Sequence, residues 1–553
     1  MTRRIHKIAW LEPARFPFGW EDQNVYQGIL FPRAGPRMAG LLDSLGYDTT
    51  VISGDLSPFD LDELTANFDA VCISVISCTT PHGLVLGKQL HDRGLPVVVG
   101  GYQFAHQTMS RDSLAPTEEA LDFVPYVVRG EGYRTLPELL EAWEGRRPLS
   151  SVQGLSYREN GRKCHNPDRP LMSQEEINAL PLPRWDKVRH RHAMKIFSVH
   201  GLLGCPRRCS WCAVWPRDGR RVRSTDPQGV VDELEMGLRT GHYWHVFMSA
   251  DNFPILPAWA KAVCEEIIAR GIKIPWTCQA EVQAAKRKDL VALMKRAGCV
   301  RWCLGLESIS DESLRDSEKK QTVAEMEGAI RILHEYDIHI HGMFICGLPH
   351  DTPESLRRSV DWAKRMKIET VQFLCLSDLP GSLDYERYRL WERSFRPFTG
   401  DYAVLNWLFL NGHYARLSTE YMSLAQVQAA SVENTKRFYS LRQALVPTFL
   451  PNGDAFRAGL REGRSWWRSL AAAYWHNWLT AGLRWRGFLL IRRWERVPLN
   501  RKYCQLLRMS PEQVAEKAEE LLQYLPSEWL KVLRQVGREK REREQYQVLT
   551  AAS

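Results

Sequence analysis

The stretch GCPRRCSWC at residues 204–212 decides how the rest of the chain is interpreted. It places three cysteines within eight positions, in the spacing C-x3-C-x2-C. Thiolates are soft ligands, and three of them on one loop can hold three irons of a four-iron cluster while the fourth iron stays open. An open iron suits a cluster that must bind a substrate. Cys205, Cys209 and Cys212 are therefore the predicted cluster ligands.

A zinc site or a chance grouping is the alternative interpretation of these cysteines. Structural zinc usually takes four ligands, commonly from paired C-x2-C units. The sequence after the loop contains no second pair of that kind. The iron–sulfur cluster is the favoured interpretation.

The motif resembles the signature of the radical S-adenosylmethionine (SAM) superfamily, which is C-x3-C-x-aromatic-C, with Trp211 at the aromatic position. The resemblance implies that the open iron binds the amino and carboxylate groups of SAM. It also implies that the reduced cluster cleaves SAM to a 5′-deoxyadenosyl radical, with electrons from a flavodoxin-like or ferredoxin-like donor. The fold implied for this region is a partial (β/α)6 barrel.

Length and composition indicate a globular protein of several domains. The chain has 553 residues, a net charge of +9 and thirteen cysteines spread along it, which predicts three or four domains. The first residues contain no apolar signal core, and the sequence contains no run of eighteen apolar residues. The expected location is the reducing cytoplasm, with peripheral contact to the inner membrane surface.

Residues 1–145 alternate short apolar runs with helical patterns, which predicts an α/β domain with a doubly wound parallel sheet. Ligands of such sheets lie beyond the carboxyl ends of the strands. The small and polar residues expected there are Ser74, Ser77, Gly100, Gly101, Gly130 and Glu131. A purely structural role for the glycines is the alternative.

The order of a strand, Gly100-Gly101 and then VVRGEGYRTLPELL (residues 127–140) resembles the cobalamin-binding domain that precedes many radical SAM barrels. The resemblance implies that the serines and glycines above, with Glu131, line the corrinoid and its nucleotide tail. The D-x-H-x-x-G motif, whose histidine ligates cobalt in other cobalamin proteins, is absent from residues 1–145. His82 lies near the matching loop without that frame, and we interpret it as a loop or capping histidine.

Residues 146–194 are interpreted as a linker, with a hairpin turn at Asn160-Gly161 and a proline-rich crossing segment. Residues 195–390 carry repeated strand–helix pairs, typical of a parallel barrel with its chemistry at the strand ends. By resemblance, the SAM contacts in the loops are Asp251, Asn252, Gly305, Glu307, Ser308, Gly342 and Gly347. A helix-capping role is the alternative for Glu307. Lys319 and Lys320 are expected to be solvated, and a contact with the SAM carboxylate is the alternative for them.

Residues 391–553 are expected to form a mainly α-helical region at the substrate or a membrane interface. Within 457–508 lie six tryptophans: Trp466, Trp467, Trp475, Trp478, Trp485 and Trp494. Basic residues interleave with them, at positions 457, 461, 464, 468, 484, 486, 492, 493, 496, 501, 502 and 508. The pattern fits amphipathic helices on an anionic lipid surface; packing on the chain's own domain and nucleic-acid binding are alternatives. The charge run 534–543 is expected to be a solvated face.

These observations predict a cobalamin-dependent radical SAM enzyme that methylates an unactivated carbon of a hydrophobic, lipid-like substrate. The layout is similar to that of hopanoid methylases and tetraether-forming enzymes. Radical carbon–carbon coupling or ring formation on a lipid or pigment is the second hypothesis, and a non-catalytic sensor that binds nucleic acid is the third. The substrate and the catalytic residues are not identified; Tyr385, Tyr402 and Cys375 are hydrogen-donor candidates by residue type.

Overall fold

The computed structural model describes residues 4–14, 34–104, 114–387, 393–445, 453–461 and 463–551. These residues form a mainly parallel sheet and a fully parallel sheet, each covered by helices, followed by a helical region. Glu462, and the side chain of Trp475, lie outside the described residues.

The first sheet has seven strands in the order β2-β1-β3-β4-β5-β6-β7, and its first five strands are parallel. Its strands are β1 (Lys7–Glu12), β2 (Asp48–Ser53), β3 (Ala70–Val75), β4 (Val97–Gly101), β5 (Tyr126–Val128), β6 (Leu155–Glu159) and β7 (Arg162–His165). The helices are α1 (Ala34–Ser44), α2 (Leu61–Asn67), α3 (Thr80–Asp92), α4 (Ala115–Phe123) and α5 (Thr135–Trp143). Helices on both faces explain why the strands are continuous apolar runs.

The predicted linker contributes to this sheet. Strands β6 and β7 pair antiparallel with β5 and with each other. Asn160 (φ 49°) and Gly161 (φ 76°) form the two-residue turn between them, in the left-handed backbone region that such turns require. Beyond α6 (Gln174–Asn178), the chain crosses to the opposite edge, where Val188 makes an isolated bridge to Val51 in β2.

The second sheet has six parallel strands that neighbour one another in sequence order. They are β8 (Ile196–Val199), β11 (His245–Met248), β12 (Trp276–Ala280), β13 (Cys299–Glu307), β14 (His339–Cys346) and β15 (Thr370–Cys375), while β9 (Leu202–Leu203) and β10 (Arg223–Ser224) form a separate ribbon. The helices are α7 (Val214–Asp218), α8 (Pro227–Thr240), α9 (Pro257–Ala269), α10 (Lys288–Arg296), α11 (Asp311–Asp316), α12 (Val323–Glu335) and α13 (Pro353–Arg365). Sequential parallel strands with helical crossovers give the predicted partial barrel.

The remaining described residues are mainly helical. The helices are α14 (Leu383–Arg387), α15 (Leu424–Phe438), α16 (Leu441–Leu445), α17 (Gly453–Arg461), α18 (Trp466–Arg496), α19 (Pro498–Leu506), α20 (Pro511–Lys517) and α21 (Ser527–Ala551), with a 3-10 segment at Gly400–Phe409. Among the described residues, no helix is long and apolar enough to cross a membrane.

Helix α21 returns to the first domain, where it packs on α3. Lys88 of α3 pairs with Glu539, and Asp122 pairs with Lys540 and Arg543. The expectation that the charge run 534–543 is a solvated face is therefore wrong for Glu539 and Arg543, which are partly buried, while Lys540 is exposed as expected. The sequence alone predicts a solvated run because Lys88 and Asp122, the partners of Glu539 and Arg543, lie hundreds of residues away in sequence.

Candidate active site

The three-cysteine loop lies between β9 and α7, near the carboxyl ends of the second sheet. Gly204 begins it with φ 84°, and a Cβ atom there would lie 2.8 Å from the carbonyl oxygen of Gly219 and 3.0 Å from that of Asp218. Only glycine fits this close approach. The next backbone N–H, of Cys205, donates to Gly219 O at 3.1 Å. The loop is therefore folded back on the end of α7.

Two segments distant in sequence hold the middle of the loop. Ser210 N donates to Ser317 O at 3.1 Å, and Ser210 Oγ donates to Asp384 Oδ2 at 2.8 Å. Asp384 N donates in return to Ser210 O at 2.9 Å. Ser317, which follows β13, and Asp384, which follows β15, thus hold the backbone of the three-cysteine loop at Ser210.

Arg207, inside the motif, ties the loop to the ends of β11 and β12. Its guanidinium donates to both carboxylate oxygens of Glu281, at 2.6 and 2.7 Å. Asn252 Oδ1 accepts from Glu281 N at 3.2 Å. The predicted SAM contact Asn252 is therefore part of the support beneath the loop, and its contact with SAM stays a prediction.

The three cysteine side chains are partly buried, and none of the described cysteines forms a disulfide. Burial raises the pKa of all three thiols, that of Cys212 to about 12. Thiolates in such surroundings need nearby positive charge, and an iron cluster supplies it. Within the described part of the chain, no three ligand-type side chains converge on one ion position. A four-iron cluster requires no such convergence, because each cysteine thiolate binds a different iron. The three cysteines therefore fit such a cluster.

Glu307 and Lys319 form an ion pair beside the loop. Lys319 Nζ lies 3.0 Å from Glu307 Oε1 and 6.0 Å from the centre of the Trp211 ring. The expectation that Lys319 is solvated is wrong: only 17% of its side chain is exposed. Burial lowers the pKa of Lys319. The nearby Glu307, Cys209 and Cys212 raise this pKa by more than burial lowers it, so the net shift is upward. Lys320 is exposed, as expected.

The backbone at Glu307 is irregular, which turns its side chain toward Lys319. Glu307 has φ 63°, uncommon for a non-glycine residue, at a bulge where β13 loses register with β14. A Cβ atom on Gly305 would lie 2.5 Å from Glu307 Oε1 and 2.8 Å from Lys319 Nζ. Gly305 therefore leaves the space that the ion pair occupies.

Most of the other predicted SAM contacts lie in loops, and one lies inside a strand. Ser308 is buried and accepts from Ser310 N at 3.1 Å, while Asp251 lies near enough to Cys205 to raise its thiol pKa. Gly347 has φ 100° and leads into a turn. Gly342 lies inside β14, where a Cβ atom would meet Leu306 at 3.0 Å. Packing accounts for Gly342, and its approach to adenine stays a prediction.

A cavity of about 330 Å³ lies where the first sheet faces the cluster loop. We call it the inter-domain cavity. Its walls include the ends of β3, β4 and β5, with Ser74, Gly100, Gly101, Gly130 and Glu131, and the opposite wall includes His200, Leu203, Arg217 and Asp218. Ser77 is not among its lining residues. The predicted corrinoid wall and residues on either side of the three-cysteine loop therefore border one cavity, but the three cysteines and the predicted SAM contacts do not line it.

The glycine-rich wall of the inter-domain cavity suits a flat ligand. Gly101 has φ 116°, and a Cβ atom there would lie 2.2 Å from Val75 O, while Gly130 and Gly132 have φ 76°. The close approach to β3 requires glycine at position 101, and all three glycines line the cavity without a side chain. The residues present fit a corrinoid.

Arginines at the edge of the inter-domain cavity were missed by sequence reasoning. Arg217 lies with its guanidinium carbon 3.8 Å from the ring centre of Tyr102 and pairs with Asp218 at 2.6 Å. Arg223 pairs with Glu131 at 2.7 Å, and Met172 N donates to the other oxygen of Glu131. Glu131 thus lines the cavity while joining the domains. The only sequence signal was the basic run that follows the cysteines.

His82 does not line the inter-domain cavity. It lies in α3, its Nδ1 is 3.1 Å from Ala14 O, and its ring packs 5.1 Å from that of Trp529. Burial lowers its pKa. The prediction of a loop or capping histidine is therefore wrong as to the loop, because His82 lies in the first turn of a helix and its ring is held by packing.

The hydrogen-donor candidates lie in different places. Tyr385 is buried and directly follows Asp384, which holds the cluster loop. Tyr402 accepts a hydrogen bond from Arg534 of α21. Cys375 is buried at the end of β15, and burial raises its pKa to about 12. Of the three, only Tyr385 adjoins the loop.

Comparison with known proteins agrees with this geometry. The radical SAM superfamily matches residues 201–363. An uncharacterized methyltransferase of Pyrococcus horikoshii is 27% identical over 394 residues, 68% of this chain and 78% of that protein. An anaerobic magnesium-protoporphyrin IX monomethyl ester cyclase of Cereibacter sphaeroides is 31% identical over 262 residues, 44% of this chain and 42% of that protein.

One solved structure has a similar fold along most of the chain. The radical S-adenosylmethionine methyltransferase TsrM from Kitasatospora setae, determined with cobalamin and a 4Fe-4S cluster bound, aligns with a TM-score of 0.57 at 16% identity. The alignment covers 97% of this chain and 99% of TsrM. The predicted fold class, with a parallel sheet, a partial barrel and a helical end, is confirmed.

Proposed function

The chain is a radical SAM enzyme, and from that premise we propose that it is a cobalamin-dependent methyltransferase acting on an unactivated carbon. The observation that carries this proposal is the inter-domain cavity. Its walls come both from the strand ends of the first sheet and from Leu203 and Arg217, which flank the three cysteines. A ligand held by the first domain would therefore face the cluster loop.

The proposed cofactors are a 4Fe-4S cluster, SAM and cobalamin. When bound, the cluster and SAM supply a 5′-deoxyadenosyl radical, and the cobalamin supplies a methyl group. Cys205, Cys209 and Cys212 would hold three irons. Glu307 would meet the cationic end of SAM, and Lys319 would meet its carboxylate, because opposite charges pair in a partly buried site. Ser74 and the glycines of the cavity wall would hold the corrinoid.

The proposed roles follow the predicted division of the chain. Residues 1–145 would bind the corrinoid, 146–194 would link the domains, 195–390 would carry the cluster, and 391–553 would shape access for a hydrophobic, lipid-like substrate. A flavodoxin-like or ferredoxin-like protein would donate electrons, in the cytoplasm. A methyltransferase among the relatives supports the reaction, and the aromatic residues of α18 support the substrate class.

A comparison of two cysteine variants tests the proposal. Cys212→Ala removes a predicted ligand, while Cys164→Ala removes another partly buried cysteine, in β7 of the first domain. After anaerobic reconstitution, Cys164→Ala should retain iron, corrinoid and 5′-deoxyadenosine formation. Cys212→Ala should retain corrinoid but form no 5′-deoxyadenosine. A native enzyme without corrinoid would refute the proposal.

Ring formation on a pigment is the second candidate, because a magnesium-protoporphyrin ester cyclase is among the relatives. That match covers less than half of the cyclase, so it carries less of the argument. Product mass decides between the two reactions. Methylation adds one CH2 unit to the substrate, and ring formation removes hydrogens.

A further inference from the structure

Helix α18 (Trp466–Arg496) has one face anchored to the barrel. The guanidinium of Arg484 donates to the carbonyl oxygens of Ile368 and Glu369, at 2.9 and 2.8 Å. A Cβ atom on Gly487 would lie 2.7 Å from the Tyr439 ring, and Trp494 is buried. These contacts fix which face of the helix points outward.

The outward face carries a line of large apolar side chains. Trp467 is 73% exposed, and Tyr474, Trp478, Trp485 and Leu489 are 40–55% exposed. Their spacings of seven, four, seven and four residues place all five on one side of the helix. At 1.5 Å per residue the line is about 33 Å long. We call it the aromatic stripe. Large exposed apolar surfaces mark interaction sites.

The helix segment that carries the aromatic stripe has charge of one sign. The sequence has no acidic residue from Gly463 to Trp494. Arg468 and Arg496 are exposed near the two ends of the helix, and Arg486 and Arg493 are exposed along it. Glu495, the next acidic residue, pairs with Lys436 at 3.0 Å. A partner of this face must therefore be negatively charged and able to accept indole rings.

We propose that the aromatic stripe docks on the surface of a bilayer that contains anionic lipids. Tryptophan and tyrosine rings are favoured at the boundary between acyl chains and headgroups. Arginine side chains beside them reach anionic headgroups while their stems stay in the apolar layer. A second copy of this chain would bring like charges together along the helix. This inference stands apart from the reaction, because binding to vesicles needs no cofactor or substrate.

The test is cosedimentation of the full chain with vesicles of phosphatidylcholine alone, or of phosphatidylcholine and phosphatidylglycerol in equal parts. The aromatic variant carries Trp467→Gln, Trp478→Gln and Trp485→Gln, and the charge variant carries Arg468→Gln and Arg496→Gln. The control is Trp244→Gln, which removes a tryptophan that is 59% exposed elsewhere on the barrel. Circular dichroism verifies that each variant is folded.

Native protein and the control should bind the anionic vesicles and bind the neutral ones less. The aromatic variant should lose binding to both, and the charge variant should bind anionic vesicles roughly tenfold or more weakly at low salt, since each arginine near the surface contributes about fivefold. Equal binding by the native and aromatic forms would overturn the proposal. So would native protein that ignores vesicles but dimerises, or that binds single-stranded DNA, through the same tryptophans.

Discussion

Lys319 Nζ lies 3.0 Å from Glu307 Oε1, and the pair is largely buried, with 17% and 12% of the two side chains exposed. Lys319 also lowers the pKa of the Cys209 thiol, against the larger upward effect of burial. One lysine therefore links the carboxylate at the end of β13 to a predicted cluster ligand. Its interactions lead to the first two predictions.

Removing either charge of this pair should destabilise the protein, because the other charge stays buried without compensation. Lys319→Met and Glu307→Gln are each expected to lower the free energy of unfolding by about 3 kcal/mol. The double variant should cost less than the sum of the two. Urea unfolding of the four proteins measures this coupling. Strictly additive losses would show that the pair contributes nothing.

Gly305→Ala should impair SAM cleavage without unfolding the protein. The new Cβ atom would lie within 3 Å of Glu307 Oε1 and Lys319 Nζ, which are the ends of flexible side chains and can move aside. The ion pair is displaced, so 5′-deoxyadenosine formation should fall at least about tenfold, a loss of about 1.4 kcal/mol of transition-state stabilisation.

The matched control for that substitution is Gly328→Ala. Gly328 lies in α12, and a Cβ atom there would meet no atom within 4 Å. Alanine should raise stability by up to about 1 kcal/mol, since it is the better helix former, and it should leave SAM cleavage unchanged. Equal activities of the Gly305→Ala and native enzymes would argue against a role for the pair.

Asp351 should make stability depend on pH. Its Oδ2 accepts from the N–H groups of Gly347 and Leu348, both at 2.9 Å, and burial raises its pKa from 3.8 to about 6. A carboxyl whose pKa is higher in the folded state contributes stability below its unfolded pKa, and this contribution is lost as pH rises through the folded pKa.

Asp351→Asn keeps an acceptor oxygen and removes the ionisation. The variant's stability relative to the native protein should therefore increase by up to about 3 kcal/mol between about pH 4 and pH 7. Urea unfolding at several pH values measures the difference. A difference that stays constant with pH would contradict the shifted pKa.

Replacing Ser74 or Ser77 by a larger residue should have different effects on corrinoid binding. Both were predicted to contact the corrinoid, but only Ser74 lines the inter-domain cavity. Ser74→Leu should weaken corrinoid binding about tenfold or more, which corresponds to a steric cost of about 1.4 kcal/mol. Ser77→Leu is the matched control and should bind normally. Corrinoid content after gel filtration gives the answer, and equal loss in both would place the ligand elsewhere.

The fold was largely predictable because its strands are continuous apolar runs whose order follows the chain. The motif of Cys205, Cys209 and Cys212 was recognisable because its residues lie within eight positions, and their role as cluster ligands stays a prediction. Strands β6 and β7 were predicted to be part of the linker. Antiparallel strands can join a sheet edge through a short turn, so they lack the strand–helix alternation by which the other strands were predicted. Only the turn at Asn160-Gly161 signalled them.

Contacts between segments that are distant in the chain could not be predicted from the sequence. Lys319 looks like an ordinary surface lysine until the bulge at Glu307 turns the carboxylate toward it. The partners of Arg207 and Arg223 lie 74 residues later and 92 residues earlier, and no local pattern relates them. The tryptophans of α18 were predicted as a group, but only the packing of Arg484 and Trp494 shows which face is exposed.

The proposed methylation transfers a methyl group from SAM to an unactivated carbon. Its most direct test uses reconstituted enzyme, a reductant, SAM with a deuterated methyl group and a lipid extract, followed by mass spectrometry. We expect a product in which a hydrogen is replaced by the labelled methyl, formed together with 5′-deoxyadenosine. Enzyme that contains corrinoid and cluster and forms 5′-deoxyadenosine, yet yields an unlabelled product lighter by hydrogens, would contradict this proposal.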